Sequence, residues 1–188
     1  MRQLIILLLF FLMISCSYKR TNNQATDQVD SFNEFIINLP KRKLPVKIHC
    51  GLDSVVGIEQ LEKFKRFIPK IGERVYGCIQ NTGDYKLIVY GEVGDDIYPY
   101  LYSYDSQGKI IDSLSLIISA CGAADDKLIP NSYAIIDENL NIKLIDTSLF
   151  IHYPDNSKFV LDSTQITRIL VKLDNNGKFK QVSKEMKK

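Results

Sequence analysis

The chain is poor in most of the residues and patterns that would assign it a chemistry. It has two histidines, four cysteines, ten glycines and six prolines in 188 residues. Glycine and proline at that level exclude a collagen-like or linker protein. Four cysteines are too few for a disulfide scaffold. Lys and Arg number 24 against 22 Asp and Glu, so the cationic surplus of a nucleic-acid-binding domain is missing and no nucleic-acid partner is expected. There is no Cys-x-x-Cys, no His-Glu-x-x-His and no second ligand pair at zinc spacing. Gly94-Asp95-Asp96 and Ala124-Asp125-Asp126 are acidic corners without the Asp-x-Asp-x-Asp run of a calcium loop. A Gly-rich phosphate loop, a Gly-x-Ser-x-Gly elbow and a spaced carboxylate pair are also missing. Neither metal nor cofactor is expected.

What is present is the composition of one globular domain, 45% hydrophobic and 10% aromatic, preceded by an address. After Arg2, eleven consecutive apolar residues run from Leu4 to Ile14. A membrane span needs about 20, so this run is too short to cross a bilayer but suits the apolar region of a secretory signal. Ser15 and Cys16 follow. Such a run closed by a small residue and Cys resembles a bacterial lipoprotein signal with its lipobox, with Met13 where Leu, Val or Ile is commoner. The resemblance implies cleavage before Cys16, which becomes the lipidated first residue, held in membrane lipid by several acyl chains. An ordinary signal peptide whose cleavage site contains Cys, or an uncleaved anchor, are the alternatives. The expected organisation is a signal over residues 1–15, a lipidated flexible tether over 16–28 and one β-rich domain over 29–188. Residues 17–28 are almost wholly polar, as a tether should be. No acidic cluster follows Cys16, which favours an outer-membrane location facing the periplasm over the cell surface.

Two helices are expected at the start of the domain. Val29, Phe32, Phe35, Ile36 and Leu39 repeat at three- and four-residue steps and share a helical face that Pro40 ends. Ile58, Leu61, Phe64, Phe67 and Ile68 make a second helical candidate, stopped by Pro69. The remainder reads as strands over 44–49, 75–80, 85–92, 98–104, 109–118, 132–137, 140–146, 165–173 and 178–183. Asp105-Ser106-Gln107-Gly108, Asp137-Glu138-Asn139 and Asp174-Asn175-Asn176-Gly177 have the chemistry of hairpin turns. The expected fold is therefore mainly β, an antiparallel meander or sandwich of hairpins with one or two short N-terminal amphipathic helices. The spacing of the three Asp turns also admits a small propeller-like arrangement. With the lipobox, the first helix, the Leu44-Pro45 strand start and the segment Tyr98-Pro99-Tyr100-Leu101-Tyr102-Ser103-Tyr104-Asp105 with Gly108, the layout resembles uncharacterised lipoproteins of Bacteroidetes-type bacteria, a resemblance that implies no activity.

The candidate site residues follow from strand geometry. Tyr98, Tyr100, Tyr102 and Tyr104 alternate and so share one strand face. Pairing across Asp105–Gly108 sets Tyr104 against Lys109, Tyr102 against Ile111, Tyr100 against Ser113 and Tyr98 against Ser115, giving a Tyr face with small polar neighbours, partly open to solvent. Such a row stacks on glycans or on an apolar protein partner, unless it only reflects the fitness of Tyr for half-buried strands. Cys50 and Cys121 each precede Gly at a strand end and are expected to pair in an oxidising compartment, leaving Cys78 free; buried thiols are the alternative. A binding or accessory module of the envelope, contacting a protein or glycan, is the leading expectation. Its competitors are an enzyme with a site assembled from His49, Asp53, Cys121 and Asp125, and a purely structural envelope protein.

Overall fold

The computed structural model describes residue 29 and residues 31–52, 55–69, 74–79, 84–121, 128–153 and 160–188. Cys16, the leader and tether, Asp53 and Asp125 lie outside the described residues. Two antiparallel meanders form the frame. The first consists of β4 (Arg74–Ile79), β5 (Lys86–Val93), β6 (Ile97–Tyr104) and β7 (Ile110–Ser115). The second consists of β8 (Leu128–Ile136), β9 (Asn141–His152), β10 (Val160–Leu173) and β11 (Phe179–Lys187). The N-terminal strands are shared between them. β1 (Lys41–Arg42) pairs in parallel with β4, β2 (Val46–His49) pairs with β8, and β3 (Val56–Gly57) pairs with β4. The result is sheet A, built on the order β1-β4-β5-β6-β7, and sheet B, in the order β11-β10-β9-β8-β2. The fold is thus the mainly β sandwich of hairpins read from the sequence. The strands are arranged in two sheets, not in propeller blades.

The three Asp turns adopt one construction. Asp105 Oδ1 accepts the backbone N–H groups of Gln107 and Lys109, Asp137 Oδ1 those of Asn139 and Asn141, and Asp174 Oδ1 those of Asn176 and Lys178. The fourth turn residue is left-handed in each: Gly108 at φ 81, Leu140 at φ 58, Gly177 at φ 75. Leu140 therefore belongs to the turn, although the sequence counts it into the following strand. Glycine at 108 also has a packing reason, since a Cβ there would lie 2.6 Å from Phe32 and 2.7 Å from Phe67.

The sandwich interior is aliphatic. Ile48, Leu87, Val89, Leu101, Leu116, Ala134, Ile136, Ile142 and Val171 are buried between the sheets. A helical layer covers the other face of sheet A. The first helix, α1, runs over residues 31–38 and buries Phe32 and Phe35 as expected, with Leu39 buried just past its end. The second helix, Ile58–Phe67, is 3-10. It kinks at Leu61, and its buried residues Leu61, Phe64 and Phe67 step by three, a spacing that suits 3.0 residues per turn. These rings meet Val75, Cys78, Ile88, Tyr90, Tyr102 and Tyr104 on sheet A. The molecule is therefore three layers deep: helices, sheet A and sheet B.

Candidate functional site

The face expected to be partly open to solvent is closed by the helical layer at Tyr102 and Tyr104. Tyr102 and Tyr104 are buried at 5% and 0% exposure, and Tyr98 and Tyr100 are half-buried. The pairing expected with β7 is also corrected. The structure sets Tyr104 against Ile110, Tyr102 against Ser113 and Tyr100 against Ser115, with a bulge between Ser103 and Tyr104. The slip is two residues from Tyr100 to Tyr102, so Ser113 and Ser115 keep the Tyr face; at the bulge it is one, and Ile110 replaces Lys109 opposite Tyr104. What the alternation could not reveal was the layer stacked on that face. The Tyr104 hydroxyl donates to the Phe67 carbonyl at 2.8 Å and sits 3.0 Å from the Tyr90 hydroxyl. Tyr90 reaches the same carbonyl at 3.3 Å. A helix end leaves carbonyls without intrahelical partners, and these two phenols satisfy one of them. Burial pushes the pKa of both hydroxyls up, so both stay protonated as donors.

Of the four residues of the enzyme reading, His49 and Cys121 are described. Asp53 and Asp125 lie outside the described residues. His49 is exposed, and its Nδ1 is 2.6 Å from the Cys50 carbonyl oxygen. Cys121 is joined to Cys50 in a disulfide, Cα to Cα 5.5 Å, and offers no thiolate. Cys78 is the buried free thiol, its pKa raised by burial. Among the described residues no group of three His, Cys, Asp or Glu side chains could hold a metal ion.

The disulfide closes a 71-residue separation. It ties the end of β2 to the connector between the meanders. Beside it the inner face of sheet B turns polar. Ser132, Asp146, Ser148 and Thr167 are all buried. Asp146 accepts from Ser119 Oγ at 2.5 Å and from Ser148 Oγ at 2.8 Å, while Ser132 Oγ accepts the Ile118 N–H. A buried carboxylate must be hydrogen-bonded, and here its partners pin the segment that carries Cys121.

The outer face of sheet B has no covering layer among the described residues. Strand parity and register place on it Lys47 and His49 of β2, Asn131, Tyr133 and Ile135 of β8, Lys143, Ile145, Thr147 and Leu149 of β9, and Ile166, Arg168, Leu170 and Lys172 of β10. On β11 the same face carries Lys180, Ser183, Glu185 and Lys187. The apolar members are half-buried and the cations are exposed. Two depressions open here. One, of about 290 Å³, lies beside Lys47, His49, Asn131 and Tyr133; the other, of about 300 Å³, lies over Ile145 and Leu170 between Lys143 and Arg168. Lys47 Nζ sits 4.1 Å from the centre of the Tyr133 ring. The sequence reading missed this surface because its cations are scattered from position 47 to position 187. The available signal was β9 and β10 themselves, where apolar residues fall on both alternating sets, as in Ile142, Leu144 and Ile145.

Fold and surface together define a three-layer β sandwich with one sheet covered by helices and one sheet face uncovered among the described residues. Comparison with known proteins finds no matching family model, no matching curated protein and no matching solved structure.

Proposed function

We propose that the chain is an exported lipoprotein, acylated at Cys16 and held in the bacterial envelope, whose sandwich works as a binding or accessory module. The observation that carries the binding role is the bare outer face of sheet B, where half-buried apolar side chains lie among exposed cations. Apolar strips of this kind on otherwise soluble surfaces mark interaction sites. Two features support the location. The apolar run ending in Ser15-Cys16 has the pattern of an acylated leader. The Cys50–Cys121 disulfide suits an oxidising compartment outside the cytosol. The test is mass spectrometry of the N-terminal peptide from the native envelope. The expected result is a chain that starts at an acylated Cys16, and a leader still attached to an unmodified Cys16 overturns the reading.

A further inference from the structure

We infer that the outer face of sheet B docks on a bilayer surface of anionic phospholipid, the membrane in which the chain is anchored. The inference rests on the lipoprotein reading for the anchor and on the charge of the face for the partner. Six cations, Lys47, Lys143, Arg168, Lys172, Lys180 and Lys187, share that face with one carboxylate, Glu185. Asp137 and Asp174 at its rim pair with Lys143 and Lys180. Among the described residues, no carboxylate lies within ion-pair distance of Lys47, Arg168, Lys172 or Lys187. The whole chain carries only +2, so this charge is segregated. A second copy of the same face would repel it, whereas lipid phosphates complement it, each basic side chain adding to the attraction. Ile145, Leu170, Tyr133 and Ile135 lie between the cations, at the depth where apolar side chains meet the headgroup boundary.

The tether permits the contact. Residues 17–28, extended, reach at most about 40 Å. Layers about 10 Å apart put the outer face of sheet B roughly 20 Å from the helical layer where the tether enters. The helical layer is the competing surface. It also carries cations, but Lys63 is paired with Glu34 and Lys65 with Glu62, and its aromatic side chains are buried.

Amine-reactive footprinting separates the two surfaces. The full-length acylated chain is reconstituted in vesicles of phosphatidylcholine alone or with phosphatidylglycerol, and modification of each lysine is read by mass spectrometry. The expected result is a several-fold fall in labelling at Lys47, Lys143, Lys172 and Lys187 with the anionic lipid, reversed by molar salt, with Lys63 and Lys65 unchanged. Arg168→Glu with Lys172→Glu, both at exposed positions, is expected to abolish the protection while leaving the unfolding midpoint within a few degrees. Equal labelling in both lipids, or protection confined to Lys63 and Lys65, overturns the docking. The N-terminal peptide of the same sample reports acylation, so an unmodified Cys16 counts against the anchor alone.

Discussion

Sheets A and B have the same architecture, a four-stranded meander extended by short N-terminal strands, yet they use their outer faces differently. On sheet A that face is aromatic, and a helical layer seals it: Phe32, Phe35, Phe64 and Phe67 pack onto Tyr90, Tyr102 and Tyr104. Phe35 and Phe67 stack with ring centroids 5.5 Å apart, and Tyr90 meets Tyr102 edge-on at 5.4 Å. On sheet B the face mixes aliphatic residues with lysine and arginine, and no helix lies on it among the described residues. Aromatic rings there would aggregate without a cover, whereas cations keep an uncovered face wet. The contrast shows that the aromatic strands mark a buried layer here, while the cationic strands lie on the face with no cover among the described residues.

Truncating one large side chain over the outer face of each sheet sharpens this contrast most. Phe35 is fully buried, so Phe35→Ala is expected to cost about 3–5 kcal/mol, seen as a large fall in the urea midpoint. Ile145→Ala on the bare face removes a half-buried side chain and is expected to cost about 1 kcal/mol or less. Equal losses would mean that something in the intact chain covers sheet B. Next in size is the link between the meanders. Replacing Cys50 and Cys121 by Ser opens the 71-residue loop and is expected to cost about 2–4 kcal/mol. The loss should appear equally on reducing the wild-type chain. If reduction leaves the midpoint unchanged, the disulfide does not restrain the unfolded chain.

How much of this was legible in the sequence depended on the range of the signal. The turns were, because Asp105, Asp137 and Asp174 bond backbone groups two and four residues ahead. The faces of the strands were too, because alternation survives a misjudged pairing such as Tyr100 with Ser113, where the true partner is Ser115, two residues on. Two kinds of information were not local. What lies over a face depends on chain far away: Tyr104 is buried by Phe32, 72 positions earlier in the sequence. Which charges share a face depends on register, and Lys47, Lys143 and Lys187 come onto one face only once β2, β9 and β11 join one sheet. The 3-10 geometry of Ile58–Phe67 was written in its step of three, but that step also satisfies an α-helical pattern over so short a span.

A smaller effect probes why sheet A uses tyrosine where phenylalanine would fill the same space. Tyr104→Phe keeps the ring and removes the donor to the Phe67 carbonyl. The expected loss is about 1 kcal/mol, and the double variant with Tyr90→Phe should lose more than the sum of the singles, because each hydroxyl covers for the other at one acceptor. Simple additivity in a double-mutant cycle would show that the two phenols act independently.

The smallest expected effect comes from the turn that joins β10 to β11 and leans on sheet A. Asp174 accepts the Lys178 and Asn176 backbone N–H groups and pairs with Lys180 at 2.9 Å. The Lys178 hydrogen bond and then the Lys180 ammonium hold its carboxyl down to about 2. A carboxyl whose folded pKa lies below its unfolded value near 4 contributes stability that is complete above the unfolded value. That contribution is lost as pH falls through the folded one, so the window runs from about 4 down to about 2. Asp174→Asn is expected to flatten the acid limb of the stability curve inside that window. The deficit of the variant is the same contribution, present in full at neutral pH and gone below about 2, and it should be small because the group is solvated and Asn also tolerates the turn. The turn reaches sheet A through Ser103 Oγ, which donates to the Gly177 carbonyl at 2.6 Å. A carboxyl titration by NMR that places Asp174 near 4 would mean that the turn is open in solution, with this clasp between the sheets released.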